Sequence, residues 1–352
     1  MKRALLVGIN YVGTSNQLYG CINDINNVSA YLQSARGYPS GSFIVLSDVA
    51  ARKPTRANIL AAFKELLQGV QSGDELWFHY SGHGSLQRDN NRDEESGADS
   101  CICPLDFNNS GVITDDIIRS ALALLVPAGA RLWIVLDACH SGTGCDLRYK
   151  YDDTSYLSTG ASMPASYNPA AWTLRQTSYE FKNYAKTAGD VYCISGCQDS
   201  QTSADAYLGG QAAGALTYCL LQALNANAPA TYKWKHLLKD VCCRERIGQF
   251  EQRTSITSGT PLNTEDLVFR AVTPLNAPVI TAPVITAPVI NAPVAPVTPV
   301  KPLPYWVQMY LLQLQRLKLQ VPNWLRVYIS QLPRGLSMQV PAQKMKMAFH
   351  RH

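Results

Sequence analysis

The chain has 352 residues, of which 46% are hydrophobic and 16% charged, and a formal net charge of +5. That apolar content excludes a wholly disordered chain and suffices for one large domain or two modest ones. Residues 1–266 hold 22 Lys+Arg against 26 Asp+Glu, a net of −4, while residues 267–352 hold 9 Lys+Arg and no acid. The chain therefore reads as an acidic body with a basic tail, and no nucleic-acid partner is expected.

Met-Lys-Arg followed by Ala4–Ile9 is too short an apolar run for a signal peptide and reads as a first buried strand. No run of about 18 apolar residues occurs. The ten cysteines lack Cys-x-x-Cys spacing and the density of a secreted disulfide framework. The expectation is a cytoplasmic protein with reduced thiols.

Next comes a helical pattern over Asp24–Ala35, with Ile25, Val28 and Leu32 on one face and Asp24 as its N-cap. Phe43–Leu46 reads as a strand. Thr55 caps a helix carrying Ile59, Leu60, Phe63, Leu66 and Leu67. Glu75–Tyr80 is a strand, Thr114 caps a helix to about Leu125, and Arg131–Asp137 is a strand apolar on both faces. Residues 147–187, rich in Tyr, Ser, Thr and Asn without periodicity, read as a long mobile surface loop. A strand at Val191–Ser195 and helices near Gly214–Leu224 and Trp234–Ile247 follow, with a last short strand at Leu267–Ala271. Strands alternating with helices predict an α/β fold, a mostly parallel central sheet flanked by helices.

The composition then changes. Pro274–Pro304 contains nine prolines and a five-residue repeat beginning at Ala277, Ala282 and Ala287. Such a segment is extended, at about 3.1 Å per residue as polyproline II. Beyond it, Tyr305–Val321 places Val307, Leu311, Leu314, Leu317 and Val321 on one helical face, which suits a membrane surface, a protein partner or packing on the body.

Two turns carry chemistry. The strand ending at Tyr80 runs into Ser81-Gly82-His83-Gly84, and the strand ending at Asp137 runs into Ala138-Cys139-His140-Ser141-Gly142. In a parallel sheet both turns emerge at the carboxyl end, where ligands bind. A thiolate is a nucleophile, and a nearby imidazole takes up its proton. The backbone N–H groups of Gly84 and Cys139 are candidate oxyanion donors. His79, inside a strand, reads as a core histidine. A zinc site from Cys101, Cys103, His83 and Cys139 lacks tetrahedral-site spacing.

His79-Tyr-Ser-Gly-His-Gly84 followed by Asp137-Ala-Cys-His-Ser-Gly142 resembles the metacaspases, in the clan of caspase-like cysteine peptidases. Gly20-Cys-Ile-Asn-Asp24 and the block Ser195–Asp205 add to the resemblance, which covers residue 1 to about 271. It implies a caspase-haemoglobinase fold over 1–271: a large-subunit-like part (1–146), a linker (147–187) and a small-subunit-like part (188–271), then the Pro-rich segment (272–304) and the basic tail (305–352). The dyad carries over to His83 and Cys139. Caspases cut after Asp and begin their cysteine motif Gln-Ala-Cys; here Asp137 precedes Ala138-Cys139. The resemblance implies cleavage after Arg or Lys, with Asp24 and Asp137 lining the pocket, Cys21 and Ser81 nearby, and Asp205 as a further candidate. A carboxylate pair suits a guanidinium. It also implies Ca²⁺ as an activator, held by Asp99, Asp115, Asp116 and Asp146. The acids of Asp115-Asp116 equally suit the first turn of a helix.

The sequence thus predicts a monomeric cysteine endopeptidase acting on proteins or peptides at Arg or Lys, Ca²⁺-stimulated and self-processing at Arg148, Lys150, Arg175, Lys182 or Lys186. The alternative is a catalytically silent caspase-fold scaffold working through its Pro-rich and basic tail. The family pattern is departed from at both ends: no prodomain is expected ahead of the first strand, and the Pro-rich segment follows the catalytic region.

Overall fold

The computed structural model describes residues 1–88, 98–138, 145–153, 176–197, 206–208, 211–247 and 253–269. The chain divides at Thr273, and Pro274–His352, with the repeat and the tail, lies outside the described residues.

In chain order the elements begin β1 (Lys2–Gly8), α1 (Cys21–Arg36), β2 (Phe43–Ser47), α2 (Arg56–Leu67) and β3 (Glu75–Ser81). A small three-stranded sheet follows, of β4 (Gly84–Arg88), β5 (Ala98–Ile102) and β6 (Ile113–Thr114), with the single turn α3 (Phe107–Ser110) before β6 and α4 (Asp115–Ala121) after it. Next are β7 (Arg131–Asp137), β8 (Tyr149–Asp153), β9 (Gln176–Glu180), β10 (Asp190–Cys197) and the hairpin β11 (Ala206–Leu208) and β12 (Gln211–Ala213). The described part closes with α5 (Ala215–Ala226), α6 (Trp234–Ile247) and β13 (Arg253–Ser258). The main sheet has the order β2-β1-β3-β7-β10-β13-β8-β9, parallel from β2 to β10 and antiparallel beyond.

The period-two alternation of the central strands sends their side chains into two cores. Leu76, Phe78 and Tyr80 of β3, with Leu132, Ile134 and Leu136 of β7, pack with Ile59, Phe63 and Leu66 of α2. Trp77, Trp133 and Val135 face the other way, against Ile25 and Val28 of α1, Leu216 and Leu220 of α5 and Leu237 of α6. Trp133 is the centre of that second core. Its ring stacks between Trp77 at 5.6 Å and Trp234 at 4.8 Å, with Phe269 at 5.0 Å.

Several sequence expectations are corrected. Asp24 is not an N-cap: α1 begins at Cys21 behind Gly20, and Asp24 is buried in the first turn. The α4 helix ends at Ala121, and a 3-10 turn covers Ala123–Leu125. Residues 147–187 are not simply a loop, because β8 and β9 pair antiparallel and extend the main sheet. Of the strand expected at Leu267–Ala271, Leu267 makes one bridge to Lys233, Val268 and Phe269 enter the core without strand pairing, and Arg270 and Ala271 lie outside the described residues. The strand in that region is β13, whose Thr254, Ser255, Thr257 and Ser258 are buried and invisible to an apolar pattern. Three of these side chains are matched: Thr254 donates its hydroxyl and its N–H to the Glu245 carboxylate (2.6 and 3.2 Å), Ser255 shares a hydrogen bond with Ser195, and Ser258 donates to the Thr260 carbonyl (2.6 Å). Among the described residues no helix is long and apolar enough to cross a membrane.

Replacing Trp133 by Ala removes a fully buried ring from a four-aromatic stack. The expected loss is about 3–5 kcal/mol of unfolding free energy in urea titrations; a loss below about 1 kcal/mol would show that the stack is not the keystone of that core.

Candidate active site

The register of β3 on β7 sets the site. Ser81 lies opposite Asp137, Tyr80 opposite Leu136 and His79 opposite Val135. The chain leaves β3 two residues before His83 and leaves β7 two residues before Cys139. Cys139 and Asp205 lie outside the described residues.

His83 is half-buried and held from several sides. Its Nε2 is 2.7 Å from the carbonyl of Asn16, in the loop between β1 and α1. A carbonyl only accepts, so Nε2 carries the proton and Nδ1 is the nitrogen left to receive one. The Tyr11 ring lies against the imidazole, with centroids 4.7 Å apart. The His83 backbone N–H donates to the Tyr11 hydroxyl (3.1 Å), which donates to the Cys103 carbonyl (2.6 Å). The Tyr80 hydroxyl donates to the His83 carbonyl (2.7 Å), and that carbonyl also accepts from Cys103 N–H (3.0 Å). Burial pushes both phenols well above their ordinary range, so they stay protonated donors. Gly82 is required beneath this network, since a Cβ there would lie 2.6 Å from the Tyr80 hydroxyl. The Asn16 loop is tied down by Asp48, whose carboxylate accepts from the N–H groups of Asn10 and Val12 (2.7 and 3.0 Å). Gly84 opens β4 directly after His83.

On the other face of β3 and β7 the structure brings together Asp24, Ser81 and Asp137. Asp24 and Asp137 are 1% and 3% exposed. The Ser81 hydroxyl donates to Asp24 Oδ2 (2.6 Å), and the Gly214 N–H reaches both Asp24 oxygens at 3.0 Å. Asp137 Oδ2 accepts from the N–H (2.8 Å) and the hydroxyl (2.6 Å) of Thr217. Cys21 starts α1 one turn before Asp24, and its N–H donates to the Asn10 side chain (3.0 Å). Sequence reasoning missed Tyr11, Asn16, Gly214 and Thr217. Asn16 acts through its carbonyl and Gly214 through its N–H, groups that every residue but proline has in full, so no residue type announces them.

The acids assigned to Ca²⁺ fall on one region. Asp99 of β5, Asp115 at the start of α4 and Asp146 before β8 are all buried. Asp115 Oδ2 accepts from Ser100 N–H at 2.8 Å, and Asp115 Oδ1 accepts from Asp116 N–H at 3.0 Å. Asp146 adopts a left-handed backbone, φ 48°, which Asp tolerates better than most residues. Burial, with the charges of Cys103, Asp115 and Asp99, pushes the Cys101 thiol up to about 12. Burial together with Cys193, Asp146 and Asp115 raises Cys145 well above its usual value. These oxygen donors have the chemistry a hard cation requires. Among the described residues, no three His, Cys, Asp or Glu side chains converge as a metal site.

A family model described as metacaspase, peptidase C14 domain, matches residues 2–148. The chain is 36% identical over 297 residues to Metacaspase-1 of Pyricularia oryzae, covering 76% of this chain and 74% of that one. It is 35% identical to Metacaspase-1 of Mycosarcoma maydis, covering 76% and 72%. The chain belongs to the metacaspase family. Against Metacaspase-1 of Cryptococcus neoformans the identity is 38%, over 76% of this chain but 64% of that protein, so this metacaspase spans under two thirds of some relatives. A crystal structure from Geobacter sulfurreducens matches at a TM-score of 0.48 and 22% identity, over 75% of this chain and 96% of that one. Caspase-1 from Spodoptera frugiperda matches at 0.42 and 12%, over 73% and 85%.

His79, fully buried behind this site, is held neutral: burial lowers its imidazole from 6.5 to about 3. The unfolded chain therefore binds a proton that the folded chain refuses, and stability falls as the pH drops below about 6.5, by up to about 1.4 kcal/mol per pH unit. In urea titrations between pH 6 and pH 4, wild type is expected to lose stability more steeply than His79→Gln. Parallel curves would mean that His79 is not the buried neutral group.

Proposed function

We propose that this metacaspase is a cysteine endopeptidase that cleaves protein or peptide substrates after Arg or Lys. The observation that carries the reading is the gathering of Asp24, Ser81 and Asp137 at the end of β3 and β7, beside the turn that holds His83. In this reading His83 Nδ1 takes the Cys139 thiol proton, and the thiolate attacks the scissile carbonyl carbon. The backbone N–H groups of Gly84 and Cys139 receive the oxyanion. The imidazolium then returns its proton to the leaving amine, and water, deprotonated by His83, hydrolyses the thioester and restores the thiol. The two carboxylates complement the guanidinium or ammonium of the residue before the cut.

Ca²⁺ is proposed as an activator rather than a participant in bond breaking. Asp99, Asp115, Asp116 and Asp146 are the proposed ligands; since no three such side chains converge among the described residues, binding would require these acids to draw together around the ion. Self-cleavage is proposed in the linker. Arg148 is paired with Glu180 (2.9 Å), and Lys150 lies in β8, 3.6 Å from Asp152, which turns the proposal toward Arg175, Lys182 and Lys186.

Cys139→Ala and His83→Ala are each expected to abolish hydrolysis of Arg-ended peptide amides; full activity in either variant overturns the mechanism. Wild-type hydrolysis is expected to rise across a Ca²⁺ series started in chelator, with linker fragments appearing on a gel. A flat rate and an intact chain would remove both the activation and the self-processing.

A further inference from the structure

Thr217 has no place in the mechanism above, yet it is 1% exposed and hydrogen-bonded to the pocket. It lies in the first turn of α5, where its N–H is one of the donors that a helix start leaves without a partner in the helix. Both that N–H and the side-chain hydroxyl reach one oxygen, Asp137 Oδ2, at 2.8 and 2.6 Å. The hydroxyl has a single proton, which this bond uses. Its remaining neighbour, His79 Nε2 at 3.2 Å, must therefore be the donor. His79 is neutral and has one N–H to give. Its other ring nitrogen, Nδ1, is buried with no hydrogen-bond partner among the described residues, as suits the bare nitrogen of that tautomer. The result is a directional chain running from His79 of β3 through Thr217 of α5 to Asp137 of β7.

The same helix start holds the second carboxylate, through the Gly214 N–H bonded to Asp24. Gly214 permits this by its size: a Cβ there would lie 2.2 Å from Asp137 Oδ2 and 2.9 Å from Asp24 Oδ2. The two acids thus flank one Cα, and Gly214 offers no side-chain cap of its own to compete with them.

We propose that Thr217, oriented by His79, is a positioning residue for recognition of the basic side chain: it fixes the Asp137 carboxylate so that a guanidinium meets it in one orientation. The proposal rests on the Arg/Lys reading of the pocket. It assigns a specificity role to a helix of the small-subunit-like part, far in sequence from the motifs that line the pocket. Neutral hydrogen bonds in a chain reinforce one another when buried, and a bond to an ionised acceptor is stronger than one between neutral groups.

The test uses the full chain with agmatine as a guanidinium probe, Arg-ended peptide amides as substrates, and alkylation of Cys139 by iodoacetamide as a measure of the dyad alone. Thr217→Val keeps the shape and removes the hydroxyl. It is expected to weaken agmatine inhibition and raise the KM for Arg peptides about tenfold, as for loss of one hydrogen bond to a buried charge, with the alkylation rate unchanged. Thr217→Ser restores the hydroxyl and is expected to restore both values. If Thr217→Val does not fold, Thr217→Ala carries the same comparison. Wild-type agmatine affinity in the hydroxyl-free variant overturns the inference. So does failure of Thr217→Ser to recover, or a fall in alkylation equal to the fall in binding. A wild-type enzyme that neither cuts after Arg nor binds agmatine defeats the pocket reading itself, a result separable from these.

Discussion

The start of α5 is the constraint around which this site is built. A helix N-terminus presents N–H groups that need acceptors and carries a partial positive charge. Gly214 has no side chain to supply an acceptor, so the acceptors come from elsewhere in the chain: Asp24 from α1 and Asp137 from the end of β7. Each side of this contact satisfies a need of the other. The helix gains its cap, and two buried carboxylates gain the donors without which burial would be costly. The contact also joins segments nearly two hundred residues apart, so the pocket exists only when both halves of the fold are in place.

The pleat of β3 separates two tasks that the sequence writes side by side. Tyr80 points to one face, where with Tyr11 it fixes the backbone of the His83 turn. His79 and Ser81 point to the other, where they meet Thr217 and Asp24. Along that second face the residues change from aromatic to ionisable. Trp77 and Trp133 stack in the core, His79 and Val135 form the next row, and Ser81 and Asp137 end at the site. The rigid core therefore sets where the polar end of each strand stops. A slip of one residue between β3 and β7 would exchange the faces and dismantle both arrangements.

Elements with a strong apolar period were legible before the fold was known: β1, β3 and β7 as apolar runs, α2 behind Thr55, and α6 over its full length. What escaped was of two kinds. β13 is buried through Thr and Ser, and the hydroxyls of Thr254, Ser255 and Ser258 find Glu245, Ser195 and the backbone, so it has no hydrophobic signature. β8 and β9 are half-polar strands at the edge of the sheet, and their Tyr, Ser and Thr content is also that of a loop. Asp24 was misjudged for a related reason. An acid near a helix start looks like that helix's own cap, and only the packing shows that it accepts from the start of α5 instead.

The sequence by itself determined the α/β class, the two Gly-flanked turns, and the candidacy of His83 and Cys139, because these depend on periodicity and on residue types at short spacing; the candidacy of Asp24, Ser81 and Asp137 came from the resemblance to the metacaspases. The tertiary structure decided which groups surround them. The Asn16 carbonyl selects the His83 tautomer, the Tyr11 and Tyr80 hydroxyls hold its turn, and Gly214 and Thr217 hold the carboxylates. Backbone carbonyls and N–H groups are common to almost every residue, and hydroxyls are common in any chain. Such groups become specific only through position, and position over such sequence distances is set by the packing of the sheet and its helices.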